Sequence, residues 1–453
     1  MHTDRNKRTI RRTLLAAAFG MFLDGFDLSI MAVALLSLRE DWRLTPAATG
    51  TLMAAALLGS LLGGAIGGPL VDRYGRRTLL LPNILLYIAG AVISAASTDL
   101  SVLWIGRFAV GLAVGMDYPL VATVIAEYSD AEQRGNHFAG ANIAWYAGAL
   151  ASTLVGLLLL FYAGIAAWRG MLLAAALPAL GLLWLRRNIP ESPRWLTRKG
   201  ATREAREALS RLHPAWSTDE IQKTTESYGQ SVRDWRTLFR APWRRRLWLS
   251  VAPWFCLDVV SLGIGLYFPV VLRTEELAGT NVEAAAINAI FLIISIGGLL
   301  FAAPRLDRIG RIPLQIAGFL LMGFGLVLFI GGLLAQMPEF VYAGAAFFSF
   351  GTGVGPGVTA MALSVEIFPT ELRASAGGIA TAVSRLGAAF SAVIFPTMTA
   401  HFGLPTVLVL MIAVSLAGAL ISYRYAVEPA GQTLERLEST HHSRSAGLPK
   451  DDA

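Results

Sequence analysis

Charge and cysteine are both scarce in this sequence. Only 15% of its 453 residues are Asp, Glu, Lys or Arg, against roughly 25% in soluble globular chains. A deficit of that size excludes a soluble enzyme. The one cysteine, Cys256, sits in an apolar run, which excludes a disulfide framework and a cysteine metal site. No glycine-rich phosphate loop of the GxxxxGK[ST] type occurs, so ATP drive is not expected. His137 and His401 stand alone near helix ends and are not read as metal ligands. No metal and no cofactor are expected.

Apolar length is abundant. The chain is 55% hydrophobic with 45 glycines, and its mean hydropathy is +0.55. Glycine is enriched in membrane helices, and about 20 apolar residues span a bilayer. Twelve stretches qualify: 13–38, 47–71, 78–98, 101–127, 137–162, 165–186, 246–272, 284–303, 313–334, 338–366, 374–400 and 404–426. The expected fold is an all-α membrane protein of twelve transmembrane helices. The first stretch is too long for a signal peptide and contains Asp24 and Asp27. With the N-terminus inside, 32 of the 38 Lys and Arg fall on inner segments, and only Arg39, Arg43, Arg169 and Arg273 on outer loops. The positive-inside rule therefore puts both termini in the cytoplasm of a bacterial inner membrane. The pI near 9.7 reflects those inner loops and calls for no nucleic acid.

The chain repeats itself. Residues 67–77 read GGPLVDRYGRR and residues 302–312 read AAPRLDRIGRI. Pro69, Asp72, Arg73, Gly75 and Arg76 recur as Pro304, Asp307, Arg308, Gly310 and Arg311, all 235 residues later. Glu127 and Arg134 recur as Glu366 and Arg373, 239 residues on. The expectation is two pseudo-symmetric six-helix bundles, 1–186 and 246–426. A cytoplasmic linker with short helices, 187–245, joins them, and a tail follows from 427 to 453. Within the linker, 201–212 reads as a charged helix and 213–245 as polar, basic connection. In parallel-repeat folds the substrate lies near the midplane between halves that rock against each other.

The GxxxDRxGRR loop resembles the signature loop of the major facilitator superfamily. RFAVGLAVG (107–115), PESPRWL (190–196) and EPAGQTLERLE (428–438) are similar to its sugar-porter-type members. The resemblance implies that the Asp72 carboxylate faces a helix N-terminus of the other half, where the macrodipole favours an anion. A gating network of Asp72, Arg76, Glu127, Arg134, Glu191 and Arg194 would follow. Asp307, Arg308, Glu366, Arg373 and Glu428 would repeat it in the second half.

Ionisable groups at midspan cost about 2.5–3.5 kcal/mol each on insertion scales, so Asp24, Asp27, Asp117 and Asp258 are functional candidates. At about 1.5 Å of rise per residue, Asp24 and Asp117 share a depth, and Asp27 comes within reach of Arg107 if helices 1 and 4 pack together. An Asp27–Arg107 pair is similar to the helix-1 Asp and helix-4 Arg of proton-coupled sugar porters. Asp258 lies 234 residues after Asp24 and is its pseudo-symmetric mate. Carboxylates converging on one chamber cannot all stay ionised without counter-charge. Asp24, Asp117 and Asp258 are thus proton-site candidates, with Asp27 a salt-bridge partner. Arg385, among small residues at midspan, is either a bidentate anion hook or the neutraliser of Asp258.

GMDYPLVATVIAEY (115–128) and PWFCLD (253–258) resemble segments of proton-coupled phosphate symporters and their organic-solute relatives. That resemblance implies substrate contact for Tyr118, Trp254 and Asp258. Three further polar contacts of that group are missing around Ala144–Gly148, at Leu262 and at Gly357, which argues against phosphate. DVVSLGIGLYFP (258–269) lacks the Gln and Asn that sugar porters carry in helix 7. DGFD (24–27) resembles aromatic-acid:proton symporters, and Phe26, Tyr118, Trp145, Tyr146, Trp254 and Phe255 are candidate cavity aromatics. The reading is a monomeric proton symporter importing a small organic solute that bears a carboxylate, with an aromatic body as one option. Alternatives are a sugar, polyol or phosphate symporter, a proton-coupled drug antiporter and a non-transporting solute sensor.

Overall fold

A computed structural model describes residues 2–128, 134–187, 189, 191–212, 216–230, 235–368 and 370–429. Their apolar runs form long helices. The first half comprises α1 (His2–Trp42), α2 (Pro46–Tyr74), α3 (Arg76–Ala96), α4 (Leu100–Tyr128), α5 (Arg134–Ala163), α6 (Ala167–Ala174) and α7 (Ala176–Arg186). Three short helices follow: α8 (Pro193–Arg198), α9 (Thr202–Leu212) and α10 (Thr218–Gln230). The second half comprises α11 (Trp243–Thr274), α12 (Asn281–Ala302), α13 (Leu306–Ile309), α14 (Arg311–Ala335), α15 (Pro338–Val354), α16 (Pro356–Glu366), α17 (Thr370–Phe402) and α18 (Leu404–Arg424).

By length and hydropathy eleven segments of the described residues are fit to cross a membrane, one of them 47 residues long, Gly140–Arg186. That segment reverses at Gly164, whose φ of 55° is open to glycine, and so supplies two crossings. Helices α6 and α7 share the sixth crossing. Helices α15 and α16 share the tenth, broken at Gly355 before Pro356, where a ring in place of an N–H ends the ladder. The result is twelve crossings in two six-helix halves.

The linker is more ordered than its composition suggests. Residues 218–230, expected as irregular connection, form α10. Ser217 Oγ accepts from the Glu220 amide at 3.2 Å, and Glu220 accepts from the Ser217 amide at 2.7 Å. This reciprocal capping box satisfies two orphan donors. The same backbone bond holds the Glu220 carboxyl below its ordinary range.

Lipid tails give helices no hydrophobic reason to associate, so close backbone packing through small residues does that work. A Cβ on Gly111 of α4 would strike Ala56 of α2. On α12, a Cβ on Gly298 would strike the Phe350 carbonyl of α15, whereas Gly297 next to it has nothing within 4 Å. Gly298→Val is therefore expected to abolish the monodisperse folded peak in detergent size-exclusion chromatography, while Gly297→Val keeps it. Equal behaviour of the two variants would remove the close-packing account.

Candidate functional site

Five helices converge on one buried charge cluster. Helix α1 contributes Asp24, α4 Tyr118, α5 Trp145, α11 Asp258 and α17 Arg385. Asp24 Oδ2 accepts from the Tyr118 hydroxyl at 2.5 Å, from Trp145 Nε1 at 2.7 Å and from Arg385 Nη2 at 3.3 Å. The other arm of the guanidinium, Nη1, lies 3.6 Å from Asp258 Oδ2. Arg385 also donates to the Tyr118 hydroxyl and stands 4.7 Å from that ring's centroid, a cation–π geometry. Asp24, Asp258 and Arg385 are 4%, 5% and 6% exposed. Among the described residues Asp258 Oδ2 has no hydrogen-bond partner, in contrast to the three donors on Asp24 Oδ2.

The other midspan acids are closed pairs. Arg107 holds Asp27 with two bonds of 2.8 and 2.6 Å, and the Tyr87 hydroxyl adds a third at 3.4 Å. Asp27 and Arg107 therefore meet as their depths suggested. Asp117 does not join the Asp24–Arg385–Asp258 cluster. Arg186 of α7 clasps both its oxygens, one of them at 2.6 Å. Hydropathy and the positive-inside count place Arg186 with the inner loop, but it is buried inside the bundle, where a bidentate fork offsets its desolvation. Asp24 and Asp117 do line a common smaller cavity of the first half, together with Asn83, Tyr87, Tyr118 and Arg186.

A larger cavity lies beyond the cluster toward the C-terminal ends of α1 and α11, enclosing about 900 Å³ of empty space including its mouth. It opens between α1 and α5 on one side and α11, α12, α14 and α15 on the other. Its wall is aromatic: Trp145, Tyr146, Phe268, Phe291, Phe329 and Phe348. Its polar lining is sparse, with Asn288 and the hydroxyls of Ser29, Ser261, Ser295, Ser349 and Thr352. Trp145 and Tyr146 were legible as candidates. Phe26, Tyr118, Trp254 and Phe255 do not line it, and Phe26, Tyr118 and Trp254 are packed in the core. The four phenylalanines of α11, α12, α14 and α15 were missed, since their helical spacing reads as ordinary packing.

Residues 13–440 match the family described as "Sugar (and other) transporter". The chain belongs to that family. It is 33% identical over 433 residues to the putative metabolite transport protein YaaU of Escherichia coli, covering 95% of this chain and 94% of YaaU. It is 28% identical over 430 residues to the niacin transporter NiaP of Acinetobacter baylyi, covering 94% and 95%. The structure of the proton:xylose symporter XylE bound to 6-bromo-6-deoxy-D-glucose superimposes with a TM-score of 0.80 at 25% identity, over 96% of this chain and 99% of XylE. This sugar-transporter-family protein is a multi-pass membrane transporter of the major facilitator fold and not an enzyme.

The transporter's halves repeat one device at the N-termini of α3 and α14. Glu191 Oε1 and Oε2 accept from the Arg76 and Arg77 amides at 2.9 and 3.1 Å, at the N-terminus of α3. Glu428 accepts from the Arg311 and Ile312 amides at 2.9 and 2.8 Å, at the N-terminus of α14. Both carboxylates sit against a glycine at positive φ, Gly75 (85°) and Gly310 (102°), where a Cβ would approach them to 2.6 and 2.7 Å. An anion at a helix N-terminus meets unpaired N–H groups and the positive end of the dipole. Each cap lies in the segment that follows its half, Glu191 in the linker and Glu428 in the tail. In the second half the gathering cation is Arg311, which bonds Asp307 at 2.7 Å and Glu366 at 3.0 Å. Arg308, expected in that place, is exposed. Arg373 donates to the Phe368 carbonyl at 3.4 Å. The side chains of Asp72, Glu127, Arg134 and Arg194 lie outside the described residues.

Removing one partner of a buried ion pair costs about 3–5 kcal/mol, because the other charge is left uncompensated. Asp117→Asn alone is expected to lower the thermal unfolding midpoint in detergent sharply. Asp117→Asn combined with Arg186→Gln should recover much of that loss. Additive losses would mean that the two side chains do not act as a pair.

Proposed function

We propose that this transporter is a proton symporter that imports a small organic anion, its carboxylate seated on Arg385 and its body in the aromatic cavity. One observation carries the reading: two carboxylates, Asp24 and Asp258, share a single guanidinium. With Asp27–Arg107 and Asp117–Arg186 neutral as pairs, the cluster holds one uncompensated negative charge. A proton on Asp258 neutralises the cluster and frees the Nη1 arm of Arg385. A substrate carboxylate can then take that arm. Substrate and proton enter together because each removes the charge penalty of the other. We assign the proton to Asp258, because its Oδ2 has no hydrogen-bond partner among the described residues, whereas Asp24 Oδ2 accepts from Tyr118 and Trp145. Asp24 ties the first half to Arg385 and releases it as the halves rock. Asp27–Arg107 and Asp117–Arg186 fix helices α1, α4 and α7 around it, and the inner-end networks at Arg76 and Arg311 act as the gate.

The sparse polar lining suits an apolar or aromatic body, and NiaP, a niacin transporter, is a relative. A sugar or polyol is the second reading, favoured by the fold shared with XylE; a polyhydroxyl ligand would have Asn288 and scattered hydroxyls for partners. The protein acts as a monomer in a bacterial inner membrane, both termini cytoplasmic. Its bundles are 1–186 and 246–426, with the linker 187–245 and the tail 427–453 on the inner side.

Purified protein in proteoliposomes tests this. Nicotinate or benzoate added outside should alkalinise the medium, and xylose should not. Asp258→Asn should abolish proton-driven accumulation yet keep substrate exchange. Arg385→Ala should weaken carboxylate binding by about 1.5–3 kcal/mol, roughly ten- to hundredfold, as loss of a charged hydrogen bond does. Accumulation that persists in Asp258→Asn, or equal loss of neutral and anionic ligands in Arg385→Ala, would overturn the reading.

A further inference from the structure

The junction between α10 and α11 carries a surface that the transport site does not use. Residues 235–249 read WRTLFRAPWRRRLWL, with five arginines, four aromatic residues and no Asp or Glu. A short 3-10 turn, Trp235–Phe239, precedes α11. Leu238 is fully buried and packs with Leu247 and Leu249 in a small core that includes Ile367, Phe368 and Leu372. Arg246 turns inward and donates to the Ile367 carbonyl at 2.8 Å. These anchors fix the backbone and decide what faces out.

What faces out is aromatic and cationic. Trp235, Phe239 and Trp248 are 52%, 51% and 55% exposed. Arg236, Arg240, Arg244 and Arg245 are exposed as well. Arg240 and Arg244 enter no ion pair among the described residues, and Arg245 reaches only the Arg424 carbonyl, at 3.2 Å. Trp248 follows Arg244 by one helical turn on the same face, about 5–6 Å further along α11. Cations at the mouth of a span with an aromatic ring one turn deeper match the layering of a membrane interface. Indole rings settle at headgroup level, and juxtamembrane arginines attract anionic lipid.

We propose that residues 235–248 form a docking surface for the headgroups of anionic phospholipids. Arg240, Arg244 and Arg245 supply the charge that meets the phosphodiester oxygens, and Trp235, Phe239 and Trp248 rest at headgroup level. Charge complementarity selects the occupant: the patch offers cations with no acidic residue interleaved. Because Leu238 and Arg246 grip the chain between α16 and α17, a bound lipid braces the inner end of the second half.

Full-length protein in detergent, titrated with phosphatidylglycerol, tests the proposal through its thermal unfolding midpoint. Phosphatidylglycerol should raise the midpoint by several degrees. Phosphatidylcholine of the same acyl chains and inorganic phosphate should not. The variant R240Q/R244Q/R245Q should unfold near the wild-type temperature without lipid and need at least about tenfold more phosphatidylglycerol for the same shift. R240K/R244K/R245K should keep most of the response. In the wild type, salt should shrink the shift, since exposed charges are screened; this arm needs no substitution. An equal response to phosphatidylcholine, an unaltered response in the Gln variant or salt independence would overturn the proposal. A shift produced by inorganic phosphate alone would assign the arginines to a soluble anion and overturn it as well.

Discussion

One guanidinium between two carboxylates is the interaction on which the rest depends. Arg385 lies 3.3 Å from Asp24 of the first half and 3.6 Å from Asp258 of the second. Burial makes each charge expensive unless it is paired. Two acids and one base cannot all be paired, so the surplus charge has to be met by a proton, a ligand or motion. The same three side chains also bridge the halves. A change in who holds Arg385 is therefore a change in how firmly α1 is tied to α11 and α17, which is how chemistry at midspan can bias alternating access.

The surrounding structure keeps that surplus localised. Asp27 and Asp117 each have their own arginine, so neither competes for Arg385. Glycine contacts bring the backbones of neighbouring helices close together. Glu191 and Glu428 cap α3 and α14 through backbone amides. These bonds tie the linker to the first half and the tail to the second.

Most of the fold could be read from the chain because its signals are long. Apolar runs near 20 residues and the repeat at Asp72 and Asp307 give the crossings and their duplication without any tertiary information. The pairing of Asp27 with Arg107 follows from their depths, if helices 1 and 4 pack together, and from the likeness to proton-coupled sugar porters. Other features depend on which way a side chain turns. Arg186 looks like a loop cation until the bundle closes over it. Phe268, Phe291, Phe329 and Phe348 have the same spacing as packing residues, and only the assembled cavity separates them. Arg308 and Arg311 carry the same charge in one motif, and the turn at Gly310 decides which one meets Glu366. The helix α10 was hidden in a polar composition, although Ser217 and Glu220 had the spacing of a capping box.

The central claim is that Asp258 takes up a proton when a carboxylate ligand reaches Arg385. Difference infrared spectroscopy on the protein in lipid, with nicotinate or benzoate added at constant pH, reads this directly through the C=O stretch of a protonated carboxyl group. A new carboxylic-acid band should appear on binding in the wild type and in Asp117→Asn combined with Arg186→Gln, and be absent in Asp258→Asn. A band that persists in Asp258→Asn, or ligand binding without any such band in the wild type, would contradict the account.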